Sequence, residues 1–237
     1  GSEMCIRDRN KGERLGLVGE SGCGKSTLTR ALLGLEEIQE GEIRVSGGVV
    51  SKNNETSFAS KKNMQVVFQD PFGSFNPRHK VSKLISEPLF LDKKIMRKED
   101  LNDLLINTLI SVGLSADDKN KYIHEFSGGQ RQRIAIARAL IVKPEIIIFD
   151  EAVSALDVSV RAQILDLLAN LCKTLNLTYI FISHDLSVVR TITDKVMVMK
   201  DGEIVESGET ENILTNPTHN YTTVSYTHLR AHETAYY

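Results

Sequence analysis

The 237-residue sequence has no apolar run approaching the ~18 residues that read as a membrane-crossing helix, and no signal-peptide pattern near its start. Any membrane role is therefore expected to be peripheral. Cysteine is scarce: Cys5, Cys23 and Cys172 have neither metal-ligand spacing nor an evident pairing, which suits a reducing cytosol. Charge of one sign is missing too. With 29 Lys and Arg against 31 Asp and Glu the formal charge is -2, and basic residues are interspersed with acidic ones throughout. That is not the electrostatic footprint of a nucleic-acid binder or of a protein drawn to an anionic membrane surface. What remains, 41% hydrophobic and 25% charged, is the make-up of a globular chain long enough to bury a core.

One stretch organises the rest. Gly19-Glu20-Ser21-Gly22-Cys23-Gly24-Lys25-Ser26-Thr27 reads G-x-x-x-x-G-K-S, a phosphate-binding loop provided that a strand precedes it and a helix follows. Arg14 to Val18 is a short apolar run suited to a buried strand, and Leu28, Ala31, Leu32 and Leu35 recur at helical spacing behind Lys25. The glycines let backbone N–H groups converge on a β-phosphate, and the helix start presents its positive end to it. Lys25 then reaches β- and γ-oxygens while Ser26 ligates Mg²⁺.

Down the chain, Gly41 to Val45 and Met64 to Phe68 read as strands, the second delivering Gln69 at its end before Asp70-Pro71-Phe72-Gly73. From about Asn76 to Ile141 the pattern turns helical, with helices expected over Val81 to Phe90 and roughly Arg97 to Val112. Ser127-Gly128-Gly129-Gln130 opens another helix, with Ser127 suited to cap it and the glycines leaving the backbone open to an anion. Glu145 to Phe149, apolar from Ile146 onward, reads like a strand buried on both faces and is followed by Asp150-Glu151. Ser154 to Asp157 then precedes a long amphipathic helix, and Thr178 to Ile182 is a further strand followed by His184. Val196 to Met199, Asp201-Gly202 and Ile204-Val205 form a hairpin. Alternating strands and helices predict an α/β fold with a largely parallel sheet and a ligand site at the strands' carboxyl ends. Gln69, Asp150, Glu151 and His184 all fall there.

These side chains suit phosphoryl transfer, which asks for positioning and electrostatics. Asp150 is placed to hold Mg²⁺, Glu151 to polarise an attacking water as general base, and Gln69 to sense both. Each also has a plainer reading: two acids marking a strand exit, a turn glutamine, a structural histidine, and in Asp157 an N-cap.

Taken together and in this order, the motifs resemble the ATP-binding subunit of an ATP-binding cassette (ABC) transporter over about Lys11 to Thr223. On that resemblance Gly19 to Thr27 is Walker A, Gln69 the Q-loop and Ser127 to Gln130 the signature. Ile146 to Asp150 is Walker B, Glu151 the catalytic glutamate, Asp157 part of the D-loop and His184 the switch histidine. Gln69 to Arg78, His124-Glu125-Phe126 and Asn216 to Thr222 are similar to the oligopeptide, dipeptide and nickel import branch, with Asn220 standing where that branch has proline.

The resemblance implies a RecA-like P-loop core over 10–223 with an antiparallel β part and a helical subdomain inserted over about 76–141. It implies ATP and Mg²⁺ as ligands, with Ser26, Gln69 and Asp150 on the metal. The implied partners are a second ATP-binding subunit, identical or paralogous and docked head to tail, two transmembrane permease subunits and, indirectly, an extracellular solute-binding protein, but no nucleic acid. The place implied is the cytoplasmic face of a bacterial or archaeal membrane. A soluble cassette ATPase of DNA repair or translation is the alternative. Residues 1–9 and 224–237 are expected to be non-native or disordered ends. The adenine-stacking aromatic of the family has no convincing counterpart upstream of the loop.

Overall fold

The computed structural model describes residues 12–45, 48–50, 63–70, 73–90 and 97–224. The expected end 1–9, all of the expected end 224–237 except Val224, the turn at Asn10-Lys11, the polar stretch 51–62 and Pro71-Phe72 lie outside the described residues; Val224 itself is helical. The architecture is α/β, with mainly parallel strands, antiparallel pairs and helices. The chain forms two compact units, each with its own core.

The first unit comprises the described residues up to 50 and those from Leu177 onward. Strand β1 (Arg14–Val18) lies between two parallel neighbours. These are β6 (Thr178–Ser183) and β7 (Lys195–Lys200), with Val18 opposite both Ser183 and Val198. Apolar β-formers explain this central position: Leu15, Leu17, Val18, Phe181, Ile182, Val196 and Val198 are all buried. β7 turns back antiparallel into β8 (Glu203–Glu209) through Asp201-Gly202, whose φ values of 48° and 87° are those of the two-residue turn expected for this dipeptide. Helix α1 (Lys25–Leu32) follows β1. A small antiparallel pair is made by β2 (Ile43–Val45) and β3 (Gly48–Val50). The first of these strands was legible in the sequence; β3, three residues in a Gly-containing polar stretch, was not.

The second unit runs from residue 63 to Asn176. Its strands β4 (Met64–Phe68) and β5 (Ile146–Asp150) are parallel, with Phe68 opposite Asp150. The helices are α2 (Val81–Phe90), α3 (Lys98–Ser111), α4 (Gly128–Leu140) and α5 (Val158–Leu175). α5 buries Ile164, Leu168, Leu171 and Cys172, one stripe at helical spacing, and stops where Asn176 takes the left-handed conformation (φ 49°). Arg138 on α4 fastens the segment after β4: its guanidinium donates to the Ser74 carbonyl (3.2 Å) and hydroxyl (3.0 Å) and lies 4.6 Å from the centre of the Phe75 ring. Burial lowers the Arg138 pKa from the ordinary arginine value, opposed by the nearby Glu87 carboxylate, and the guanidinium remains a cation.

Two further helices complete the first unit. α6 (Leu186–Ile192) is capped by Asp185, whose carboxylate accepts from the Ser187 N–H at 3.0 Å, and α7 (Thr210–Thr215) follows β8. Neither was singled out from the sequence, because seven and six residues are too few to show a helical period.

Candidate functional site

The phosphate-binding loop is built within the first unit. β1 delivers Gly19, and the chain reaches α1 through Gly24, which occupies the N-cap position in a left-handed conformation (φ 107°) with no side-chain cap. The first N–H groups of α1 therefore have no capping side chain and point along the helix axis toward any anion in the loop. Lys25 is 5% exposed, and its ammonium donates to the carbonyls of Gly19 (2.7 Å) and Glu20 (2.8 Å), bracing the loop it belongs to.

The β7–β8 hairpin supports this loop from outside. The Gly202 N–H donates to the Cys23 carbonyl at 3.0 Å. Gly19 lies so close to β7 that a Cβ added to it would stand 2.3 Å from the Met199 carbonyl oxygen and 2.6 Å from Cys23 Sγ. Main chain cannot yield as a side chain can. Gly19→Ala is therefore expected to lower unfolding stability by about 1–3 kcal/mol, the usual range for forced overpacking, read from the denaturant midpoint; an unchanged midpoint would refute this close packing.

His184 follows Ser183 and is exposed. Because Ser183 pairs with Val18, His184 and Gly19 leave adjacent parallel strands at the same level. The structure thus brings the histidine to the start of the loop, 165 positions earlier in the chain. The Ser183 hydroxyl accepts from the Asp185 N–H at 2.9 Å, which fixes the turn that carries the imidazole.

Within the second unit a corresponding register, Phe68 opposite Asp150, puts Gln69 beside Asp150 and Glu151. Glu151 has φ 50°, a left-handed conformation uncommon for a residue with a side chain and of the kind that concentrates at working sites. Its carbonyl accepts from the Ser154 hydroxyl (2.8 Å) and N–H (3.1 Å), so main-chain bonds hold the turn.

Ser127 caps α4 as expected. Its hydroxyl accepts from the Gln130 N–H at 3.4 Å, while the Gln130 carboxamide accepts from the Ser127 N–H at 3.0 Å. Ser127 and Gly128 are exposed, and Gly129 lies against Val160 on the first turn of α5, which brings the start of α4 beside Asp157. Asp157 occupies the N-cap position of α5, yet its carboxylate makes no capping bond. The plain reading of Asp157 is right about position and wrong about the side chain.

Tyr221 went unrecognised as a neighbour of this site. Tyr221 accepts a hydrogen bond from the Glu20 N–H at 3.2 Å. The available signal was the Asn216 to Thr222 segment, whose branch-like pattern had no chemistry attached to it.

Residues 7–154 match the family model described as ABC transporter. Over 213 residues the chain is 49% identical to the dipeptide transport ATP-binding protein DppF of Haemophilus influenzae, covering 90% of this chain and 65% of that protein. It is 48% identical over 217 residues to the oligopeptide transport ATP-binding protein OppF of Bacillus subtilis, covering 91% and 71% respectively. The chain thus spans about two thirds of the length of these relatives. Among solved structures it is similar to cbiO1 from Clostridium perfringens, described as part of an ABC transporter complex, with a TM-score of 0.79 at 27% identity and coverage of 88% of this chain and 82% of that one. It is likewise similar to an ATP-binding cassette seen as a dimer in a post-hydrolysis state with ADP and Pi, with a TM-score of 0.73 at 28% identity and coverage of 86% and 88%.

Proposed function

The chain belongs to the ABC transporter family, and from that premise we propose that it is the ATP-binding and ATP-hydrolysing subunit of a bacterial peptide importer. The observation that carries this reading is the loop from Gly19 to Thr27, turned onto the uncapped start of α1 with Lys25 buried against it. Peptides are favoured as cargo because relatives at 48–49% identity are named for dipeptide and oligopeptide transport. Those names speak of peptides and not of nickel, so the proposal stops at peptides.

Each side chain then has a task. The loop amides and Lys25 bind the β- and γ-phosphates of ATP, as charge-assisted donors do. Glu151 takes a proton from the attacking water while the water oxygen bonds to the γ-phosphorus and the bond from that phosphorus to the ADP oxygen breaks. Gln69 and His184 orient the water and the γ-phosphate. A hydroxyl, a carboxamide and a carboxylate are the hard oxygen donors that Mg²⁺ prefers, so Ser26, Gln69 and Asp150 are the proposed ligands. When bound, the ion neutralises charge on the phosphate oxygens.

Ser127, Gly128 and Gly129 present a second helix start, and we assign them to the ATP of a second copy or paralogue docked head to tail. Asp157, with its uncapped carboxylate beside them, belongs to the same face. ATP then favours the closed pair and hydrolysis releases it, a ligand-biased two-state switch that drives two membrane-spanning permease subunits. The solute-binding protein meets the chain only through those subunits. Among the described residues no helix is long and apolar enough to cross a membrane. The proposed place, on the cytoplasmic face, follows from the proposed partners.

Two measurements test the proposal. The purified chain is expected to bind Mg-ATP; failure to bind at millimolar ATP would overturn the assignment. In mixed pairs, Ser127→Arg in one protomer is expected to disable the site whose phosphates lie on the other, lowering turnover by roughly half to completely depending on coupling. Mixed pairs with two unaffected sites would exclude the head-to-tail arrangement.

A further inference from the structure

The first unit contains a chain of contacts from its C-terminal end to the phosphate loop, anchored on a buried acid. Glu206 on β8 is 8% exposed. One carboxylate oxygen accepts from both the N–H and the hydroxyl of Thr218 at 2.7 Å, and the other from the His219 N–H at 3.3 Å. Burial alone would push the Glu206 carboxyl up. The Thr222 hydroxyl, in a looser approach than a formed hydrogen bond, together with the Thr218 and His219 donors, outweighs burial and holds it below the ordinary glutamate range. The carboxylate is therefore ionised at neutral pH and keeps this turn closed.

From that turn the contacts run to the loop. The His219 imidazole Nδ1 accepts from the Tyr221 N–H at 3.2 Å, capping a helical turn over 220–224. Asn220 is its first residue, the position at which proline is at home in a helix, which accounts physically for proline there in the importer branch. Tyr221 then extends to Glu20. Its ring lies 5.2 Å from Lys200 Nζ, and its hydroxyl accepts the Glu20 N–H at 3.2 Å. The carbonyl of the same Glu20 accepts from the Lys25 ammonium at 2.8 Å. One loop residue is thus held by its amide from the C-terminal segment and by its carbonyl from the lysine that grips phosphate.

We propose that the segment from Thr218 to Val224 is a strap that preorganises the phosphate loop, and that Tyr221 is the positioning residue through which it acts. This rests on the reading of the loop as a nucleotide site. The strap holds Glu20, and through Glu20 the ammonium of Lys25, in place before nucleotide arrives, which lowers the ordering cost of binding. The task is separate from chemistry: Tyr221 acts on the loop's backbone, through the Glu20 amide, and not on the water or the phosphate.

The test uses the 237-residue chain, its Tyr221→Phe and Glu206→Gln variants, and Mg-ADP as the probe. Tyr221→Phe keeps the ring against Lys200 and removes one acceptor. It is expected to speed hydrogen exchange of the Glu20 amide and to weaken Mg-ADP binding, each by roughly 2–10-fold for one hydrogen bond, with an unchanged melting temperature. Glu206→Gln, which touches the loop nowhere, is expected to produce the same two changes at a distance with a lower melting temperature. A Tyr221→Phe protein with wild-type exchange at Glu20 and wild-type Mg-ADP affinity overturns the strap, whatever Glu206→Gln does. If the wild-type chain binds no nucleotide, the proposed function fails, while amide exchange at Glu20 in the free protein still decides the strap.

Discussion

Glu151→Gln is expected to bind Mg-ATP within about threefold of the wild-type chain and to turn it over roughly 10²–10⁴-fold more slowly, the usual worth of a positioned general base. The substitution is close to isosteric, and the structure explains why it should leave the site intact. The left-handed turn at Glu151 is held through its carbonyl, by the Ser154 hydroxyl and N–H, which a carboxamide side chain leaves untouched. What changes is the capacity to accept a proton. Phosphate release at steady state measures the loss, and size-exclusion chromatography with ATP is expected to show a trapped pair of subunits. Substantial steady-state hydrolysis by the glutamine variant would remove Glu151 from the role of base.

Lys25→Ala should fail at an earlier step. Removing the ammonium deletes the charged donor for the β- and γ-phosphates, and it also releases the Gly19 and Glu20 carbonyls that the ammonium ties together at 2.7 and 2.8 Å. Two charge-assisted bonds of about 1.5–3 kcal/mol each, not fully additive, correspond to a loss of Mg-ATP affinity on the order of 100-fold or more. Lys25→Arg is not expected to restore it, since a bulky planar guanidinium cannot take the place of a compact ammonium held between two carbonyls. Calorimetric titration decides: binding by the alanine variant within threefold of wild type would show that loop amides alone hold the phosphates. Together the two variants separate binding from chemistry, one losing affinity and the other losing turnover.

Strands and helices with a strong local pattern were legible in the sequence. β1, β4 and α2 have the bounds that their apolar spacing suggested, and α3 runs over Lys98–Ser111 where roughly 97–112 was expected. Short elements without a full period, β3, α6 and α7, were not. The handedness of Glu151 was also hidden, because its φ of 50° is imposed by the turn into Ser154 and not by any preference of glutamate. For Asp157 the sequence pointed to the right position and could not tell whether the carboxylate caps the helix, since that depends on a rotamer set by its surroundings.

The sequence by itself determined the phosphate loop. Its glycines, lysine and serine lie within nine consecutive residues between a strand and a helix, so the chain's own covalent geometry brings them together. The family, too, could be read from motif order. Only the tertiary structure decided which distant residues support that loop. Parallel pairing sets His184 level with Gly19, the hairpin brings Gly202 to Cys23, and a buried glutamate fastens the turn that carries Tyr221 to the amide of Glu20, 201 positions away. Such contacts arise from strand register and burial, and each depends on many residues packing at once, so no local spacing encodes them.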